Sequence, residues 1–211
     1  MKKIEDIMKN CNEEKKSTIS QEALVWLEDK KSQIVSRYGN ASKFAITFNP
    51  SVQIQCAMNV ARSLTGNAPT IMQLLHTYDY PEIQVWMIAQ INDLNEYAGV
   101  KTKMSLDQMK ELAKVLIVKC KFLKASEILL FFHMLKGGDF GSFYGTVDPQ
   151  RVGEHMNEFL KWRRMELDKI HSIQKQIEHE QKHKMWRKNA ISREEYERRR
   201  EEREKQNSKN L

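Results

Sequence analysis

Five consecutive residues, His179-Glu180-Gln181-Lys182-His183, spell H-E-x-x-H. On a helix the two histidines would share a face and could bind zinc, while the glutamate activates a metal-bound water. A hydrolytic zinc also needs a third ligand and a dry, shaped cavity. Here the surroundings, QKQIEHEQKHKMWRK, are polar throughout, and the nominal third ligands Glu194, Glu195, Glu201 and Glu202 sit in a charge run. A zinc hydrolase through His179 and His183 therefore ranks third, behind two non-enzymatic readings, and no cofactor is expected.

Asp139-Phe140-Gly141 spells the magnesium-binding triplet of protein kinases, but no glycine-rich strand pair or H-R-D loop accompanies it. The triplet lies inside LKGGDFGSFYGTVDP (135–149), which holds four of the eight glycines. No Lys-Ser/Thr follows a terminal glycine and no G-x-G-x-x-G follows a strand, so both phosphate-loop fingerprints fail. The next helix start could attract an anion, yet Asp148 brings its own carboxylate to that position. The stretch reads as a structural corner. Gly137, Gly138, Gly141 and Gly145 turn the chain, Phe143 and Tyr144 seal the end of a bundle, and Asp148-Pro149 open the next helix. The alternative makes Phe143 and Tyr144 stacking platforms for single-stranded nucleic acid, with Arg151, Arg163 and Arg164 supplying charge. His76, His133 and His155 have no nucleophile or carboxylate that the sequence can place beside them, and read as structural. Cys11, Cys56 and Cys120 are widely spaced without C-x-x-C, which supports neither a disulfide framework nor a zinc knuckle.

The elements that must position these residues are helical. Capping boxes are expected at Thr18–Gln21, Thr70–Gln73, Asp79–Glu82, Ser105–Gln108 and Ser192–Glu195. Asn49-Pro50 and Asp148-Pro149 fit a cap followed by proline, and Gly39, Gly66 and Gly99 fall where helices would stop. Between these marks the apolar spacing predicts helices over 20–38, 51–65, 81–98 and 105–123. The stripe of 51–65 is Ala57, Val60, Ala61 and Leu64, and that of 105–123 runs from Leu106 through Met109, Leu112, Leu116 and Cys120 to Leu123. Residues 126–136 are apolar nearly all round, the pattern of a central helix. KFAITFN (43–49) alternates like a strand but has no partner, which predicts an extended connector.

Charge divides the chain unevenly. From Lys161 onward there are 16 Lys/Arg against 10 Asp/Glu, whereas residues 1–160 carry 19 against 18. A thin apolar stripe ends near Ile177, after which a charged helix or tail is expected. The basic balance suggests an acidic partner, with nucleic acid the commonest, through Lys184, Trp186, Arg187, Lys188, Arg198, Arg199 and Arg200. A solvated mixed-charge helix is the alternative. Trp186, isolated among cations, suits stacking on a base or docking on a protein. No apolar run is long enough to cross a bilayer, and the opening lysines lack a signal-peptide core, so a cytoplasmic protein without membrane contact is expected.

The run SEILLFFHMLKGGDFGSFYGTVDPQRVGEHMNEFLKWR (126–163) resembles a family of small, functionally uncharacterised proteins from gut bacteria, their phages and other mobile elements. The shared features are the apolar helix, the G-x-FYG-x-x-DP corner and the helix after it, over roughly residues 68–165. The layout is distantly similar to phage helicase loaders. That similarity implies a replicative helicase or DNA as the partner of the tail, whereas an assembly partner belongs to the alternative reading as a structural or assembly protein.

Together these readings predict an all-α, compact helical bundle with a long C-terminal helix and charged tail. The expected divisions are an N-terminal segment (1–17), the bundle (18–165) and a protruding basic helix with tail (166–211). The expected function is a non-enzymatic accessory protein of DNA replication or mobile-element maintenance. The alternative is a structural or assembly protein whose tail mediates oligomerisation.

Overall fold

Short polar side chains start most helices of this chain, and glycines stop several of them. A computed structural model describes residues 21–143, 145–190 and 192–209. The chain runs through α1 (Gln21–Tyr38), α2 (Ala41–Thr47), a 3-10 turn (Pro50–Val52), α3 (Gln53–Met58), α4 (Val60–Thr65) and α5 (Ile71–Tyr78). It continues through α6 (Tyr80–Tyr97), α7 (Leu106–Lys119), α8 (Ala125–Gly137), α9 (Pro149–Asn189) and α10 (Arg193–Lys209). Among the described residues there is no strand, only the isolated bridges Thr70–Lys124 and Thr102–Thr146. The protein is all-α with a long C-terminal helix. It divides into two units between Arg164 and Met165, a boundary that falls inside α9.

Thr70 and Ser105 form reciprocal boxes. Gln73 N–H donates to Thr70 Oγ1 (3.2 Å), and Thr70 N–H donates to Gln73 Oε1 (2.9 Å). Ser105 and Gln108 repeat the exchange at 3.3 and 2.8 Å. Asn49 accepts from Ser51 N–H (2.8 Å), while Glu195 N–H donates to Ser192 Oγ (3.2 Å). Thr18–Gln21 begins outside the described residues. The box expected at Asp79 does not form, because Asp79 takes a left-handed backbone (φ 67°) and its side chain makes no capping bond. With α5 ending at Tyr78 and α6 starting at Tyr80, Asp79 alone joins the two helices, and its positive φ replaces the extended backbone that Thr70 and Ser105 adopt in their boxes.

In the first unit α8 is the centre, packed on α3, α4 and α6. Its Ile128, Leu129, Phe131 and Phe132 are wholly buried, as the all-round apolar pattern predicts. Phe159 of α9 meets Phe131 at 5.4 Å between ring centroids. A second cluster surrounds Phe44, whose ring lies 5.0–6.3 Å from those of Tyr38, Phe48, Tyr78 and Trp86. Two long-range bonds close it: Trp86 Nε1–H (2.8 Å) and Gln90 Nε2–H (3.1 Å) both donate to Phe48 O.

Three expectations need correction. Residues 43–49 are not an extended connector but mostly α2, because Asn40 caps Lys43 N–H (3.0 Å) and Phe44 and Phe48 fall on one helical face. The helix expected over 51–65 breaks at Asn59 into α3 and α4. The Asn59 side chain accepts Arg62 N–H (2.9 Å), restarting the helix on a new axis and leaving Ala61 exposed. Leu106 heads the α7 stripe in sequence but is 55% exposed, since the first turn overhangs the core.

The end of α4 shows how closely the unit is tied together. Its last carbonyls need partners. Ser126 Oγ–H donates to Ser63 O (2.8 Å) and Lys124 Nζ to Leu64 O (2.8 Å), while Gly66 N–H donates to Arg62 O (2.8 Å). The start of α8 thus completes the end of α4.

Cys120 closes α7 with no exposed surface, and burial pushes its thiol up to about 12. Above about pH 8.5 the unfolded chain loses this proton while the folded chain keeps it. Stability is therefore expected to fall as pH rises, by up to about 1.4 kcal/mol per pH unit from this group. Urea unfolding at several alkaline pH values should show a shallower loss for Cys120→Ala than for the parent chain. An equal loss in both would remove Cys120 as the cause.

Candidate nucleic-acid interface

The glycine-rich stretch is a corner within the first unit. Gly138 ends α8 in the left-handed conformation (φ 78°), with Gly138 N–H donating to Leu135 O (3.2 Å) and Asp139 N–H to Met134 O (3.1 Å). This is the Schellman arrangement, which satisfies two terminal carbonyls and favours glycine. Gly145 (φ 74°) also takes a conformation that side chains disfavour. Phe143 meets buried His155 edge-on at 5.6 Å, and Phe140 meets Phe159 at 6.3 Å, so these rings pack against α9. Tyr144 lies outside the described residues. Asp148 accepts Gln150 N–H (2.9 Å) ahead of Pro149 and so fills the helix start itself. The helix end at Gly138 and the helix start at Asp148-Pro149 are thus satisfied within the corner, and a cleft of about 230 Å³ lies against Gly137, Gly138, Gly141 and Phe143.

The cations named from sequence fall into three environments. Arg151 and Arg164 are exposed in the first unit, whereas Arg163 is half-buried and donates to Glu127 Oε1 at 2.7 Å. In α10 four of the five arginines are paired along the helix. Arg198 and Arg199 both reach Glu195, Arg200 reaches Glu204 and Arg193 reaches Glu197, at 2.7–2.9 Å. Arg199 and Arg198 hold the Glu195 carboxyl below its usual range. Pairs at i,i+3 and i,i+4 support a helix that buries no apolar face.

Residues 182–188 of α9 differ. They contain Lys182, Lys184, Arg187 and Lys188 with no Asp or Glu, and among the described residues none of the four has a carboxylate partner. Trp186 stands among them 69% exposed, beside Met185 at 62%. His179 and His183 stack at 6.4 Å with 19° between planes, and His183 lies 6.0 Å from Trp186. At 3.6 residues per turn these three rings fall within about 60° of one another, with Lys182 and Arg187 to either side. Ile170, Ile173 and Ile177 lie on the opposite side, Ile173 and Ile177 being 56% and 45% exposed. The H-E-x-x-H histidines therefore form part of an aromatic stripe, and among the described residues no three His, Cys, Asp or Glu side chains converge as metal ligands.

A second cationic feature was not legible from spacing. Lys30, Arg37 and Lys124 line one cleft beside the loop 65–70, although they are up to 94 positions apart. Only folding brings them together.

Residues 103–207 match a family of unknown function, DUF6633. The match takes in α7, α8, the corner, all of α9 and most of α10. No curated protein and no solved structure matches the chain. Among the described residues no helix is long and apolar enough to cross a membrane.

Proposed function

We propose that this chain is a non-enzymatic nucleic-acid-binding adaptor that contacts its polyanion through residues 182–188. The observation that carries this reading is the run of four unpaired cations in one stretch of helix, of which Lys182 and Arg187 flank exposed Trp186 while Lys184 and Lys188 lie on the opposite side. Cations already paired along α10 would have to break a helix-supporting contact before meeting a phosphate. The unpaired four face no such cost. Phosphate binding by them releases condensed counterions, and the indole offers a stacking face. The sequence resemblance supports placing the adaptor in DNA replication or mobile-element maintenance, with the bundle engaging a protein such as a replicative helicase. Capture from the native host with and without residues 178–211 tests that context.

Fluorescence anisotropy with a labelled single-stranded oligonucleotide tests the binding. Affinity should fall with salt at a slope of roughly −3 in log–log form, about 0.7 for each of four phosphates neutralised. Lys184→Gln with Arg187→Gln should reduce that slope by about half. Trp186→Ala should cost about 1–3 kcal/mol, roughly 5- to 150-fold, with little change in slope. Salt-independent binding, or equal loss on changing Arg198 and Arg200, would contradict the proposal. One observation favours a second reading as an assembly component: the exposed Ile173–Ile177 stripe has the spacing of a helix–helix seam. An oligomer in sedimentation that Ile173→Asp disperses would support that reading instead.

A further inference from the structure

We infer that the cleft beside the loop 65–70 of the first unit binds a small phosphorylated molecule, held by Lys30, Arg37 and Lys124. The cleft has a volume of about 550 Å³, within the range of small-molecule sites. A second cleft of about 310 Å³ lies against the same loop, and Arg37, Tyr38, Gly66, Asn67 and Ala68 line both. Arg62 adds a fourth cation there, beside the apolar Phe48, Val52 and Cys56. Among the described residues, not one Asp or Glu lines either cleft.

Among the described residues Lys30 and Arg37 have no carboxylate partner. Arg37 lies over the face of Tyr38, at 5.3 Å, and Lys30 donates to the neutral Gln33 Oε1 at 3.1 Å. Lys124 donates to Leu64 O, and burial lowers its pKa, opposed by Glu127 and aided by Arg163. Elsewhere in the unit cations commonly find carboxylates, as Lys114 does with Glu111 (2.6 Å) and Arg163 with Glu127 (2.7 Å). A ligand bringing negative charge supplies what the lining lacks.

Side chains rather than backbone amides would do the recognition. The first amides of α5 are occupied: Ile71 N–H donates to Leu123 O and Met72 N–H to Lys121 O, both at 2.8 Å, and Gln73 N–H donates to Thr70. The loop itself is held close to α4, where a Cβ on Gly66 would come 2.4 Å from Arg62 O. Arginine's planar fork suits phosphate oxygens, and lysine adds point charge. Phosphates would occupy the cationic cleft while an organic moiety reaches the apolar wall of its neighbour. A di- or triphosphate ester of nucleotide size fits both.

Isothermal titration calorimetry on the full chain at physiological salt, with inorganic pyrophosphate and ATP as probes, tests this. One-to-one binding is expected, tighter for ATP than for pyrophosphate. Arg37→Gln and Lys30→Gln should each weaken it by about tenfold. Both residues lie at the surface, and unchanged thermal melting would confirm that the variants fold. Changing Lys184 and Arg187 in α9 should leave these titrations unaltered. No saturation by either probe at low-millimolar concentration, or undiminished binding by Arg37→Gln, would overturn the inference. So would an Arg37→Gln defect in oligonucleotide binding as large as that for pyrophosphate, because the cleft would then belong to a nucleic-acid surface.

Discussion

Arg163→Met is expected to destabilise the first unit by about 3–5 kcal/mol, the usual cost of stranding a buried charge. Its partner Glu127 has no exposed surface. One carboxylate oxygen accepts Arg163 Nε–H and the other accepts Lys124 N–H, each at 2.7 Å. Glu127 thereby caps the start of α8 while Arg163 reaches it from α9. Methionine preserves most of the stem volume against Phe122, whose ring lies 5.8 Å from the guanidinium carbon. The loss should therefore report the charge rather than the packing. Urea unfolding of Arg163→Met, Glu127→Gln and the double variant measures it. Glu127→Gln keeps an acceptor for Lys124 N–H and should cost less, and the double variant should recover part of the Arg163→Met loss. A single-variant cost below about 1 kcal/mol would show that Glu127 is adequately solvated without its partner.

Phe44→Ala should cost a similar amount, about 3–5 kcal/mol, by opening a cavity at the hub of four other rings. Phe44 is 1% exposed, whereas Ile46, two positions on, is 70% exposed. Ile46→Ser should therefore fall within about 0.5 kcal/mol of the parent chain. The comparison is sharp because an alternating strand would place both residues on one face. Denaturant midpoints for the two variants decide it: comparable losses would contradict the helical assignment of α2.

The cations show why composition located the nucleic-acid candidate only in part. Arg163, Arg198, Arg199 and Arg200 count as positive charge in the sequence, but each meets a carboxylate in the structure. For α10 the pairing was readable, since Glu195 and Glu204 stand three or four positions from their arginines. For Arg163 it was not, because Glu127 is 36 positions away. Lys182, absent from the residues singled out by sequence, joins the unpaired set in the folded helix.

What the sequence determined by itself is what one or two helical turns can encode. The caps at Thr70, Ser105 and Asp148, the left-handed stop at Gly138 and the all-round apolar α8 each depend on neighbours within about four residues, the reach of the helical hydrogen bond. The tertiary structure decided matters that require distant groups to meet. It chose helix over extended chain for residues 43–49, because an i,i+4 aromatic pair satisfies both periodicities until Tyr78 and Trp86 arrive to bury one face. It placed Asp79 at a positive φ that local capping preference would not select. It buried Glu127 beneath Arg163 and gathered Lys30, Arg37 and Lys124 around one cleft, since side-chain electrostatics depends on spatial separation, which linear spacing does not convey.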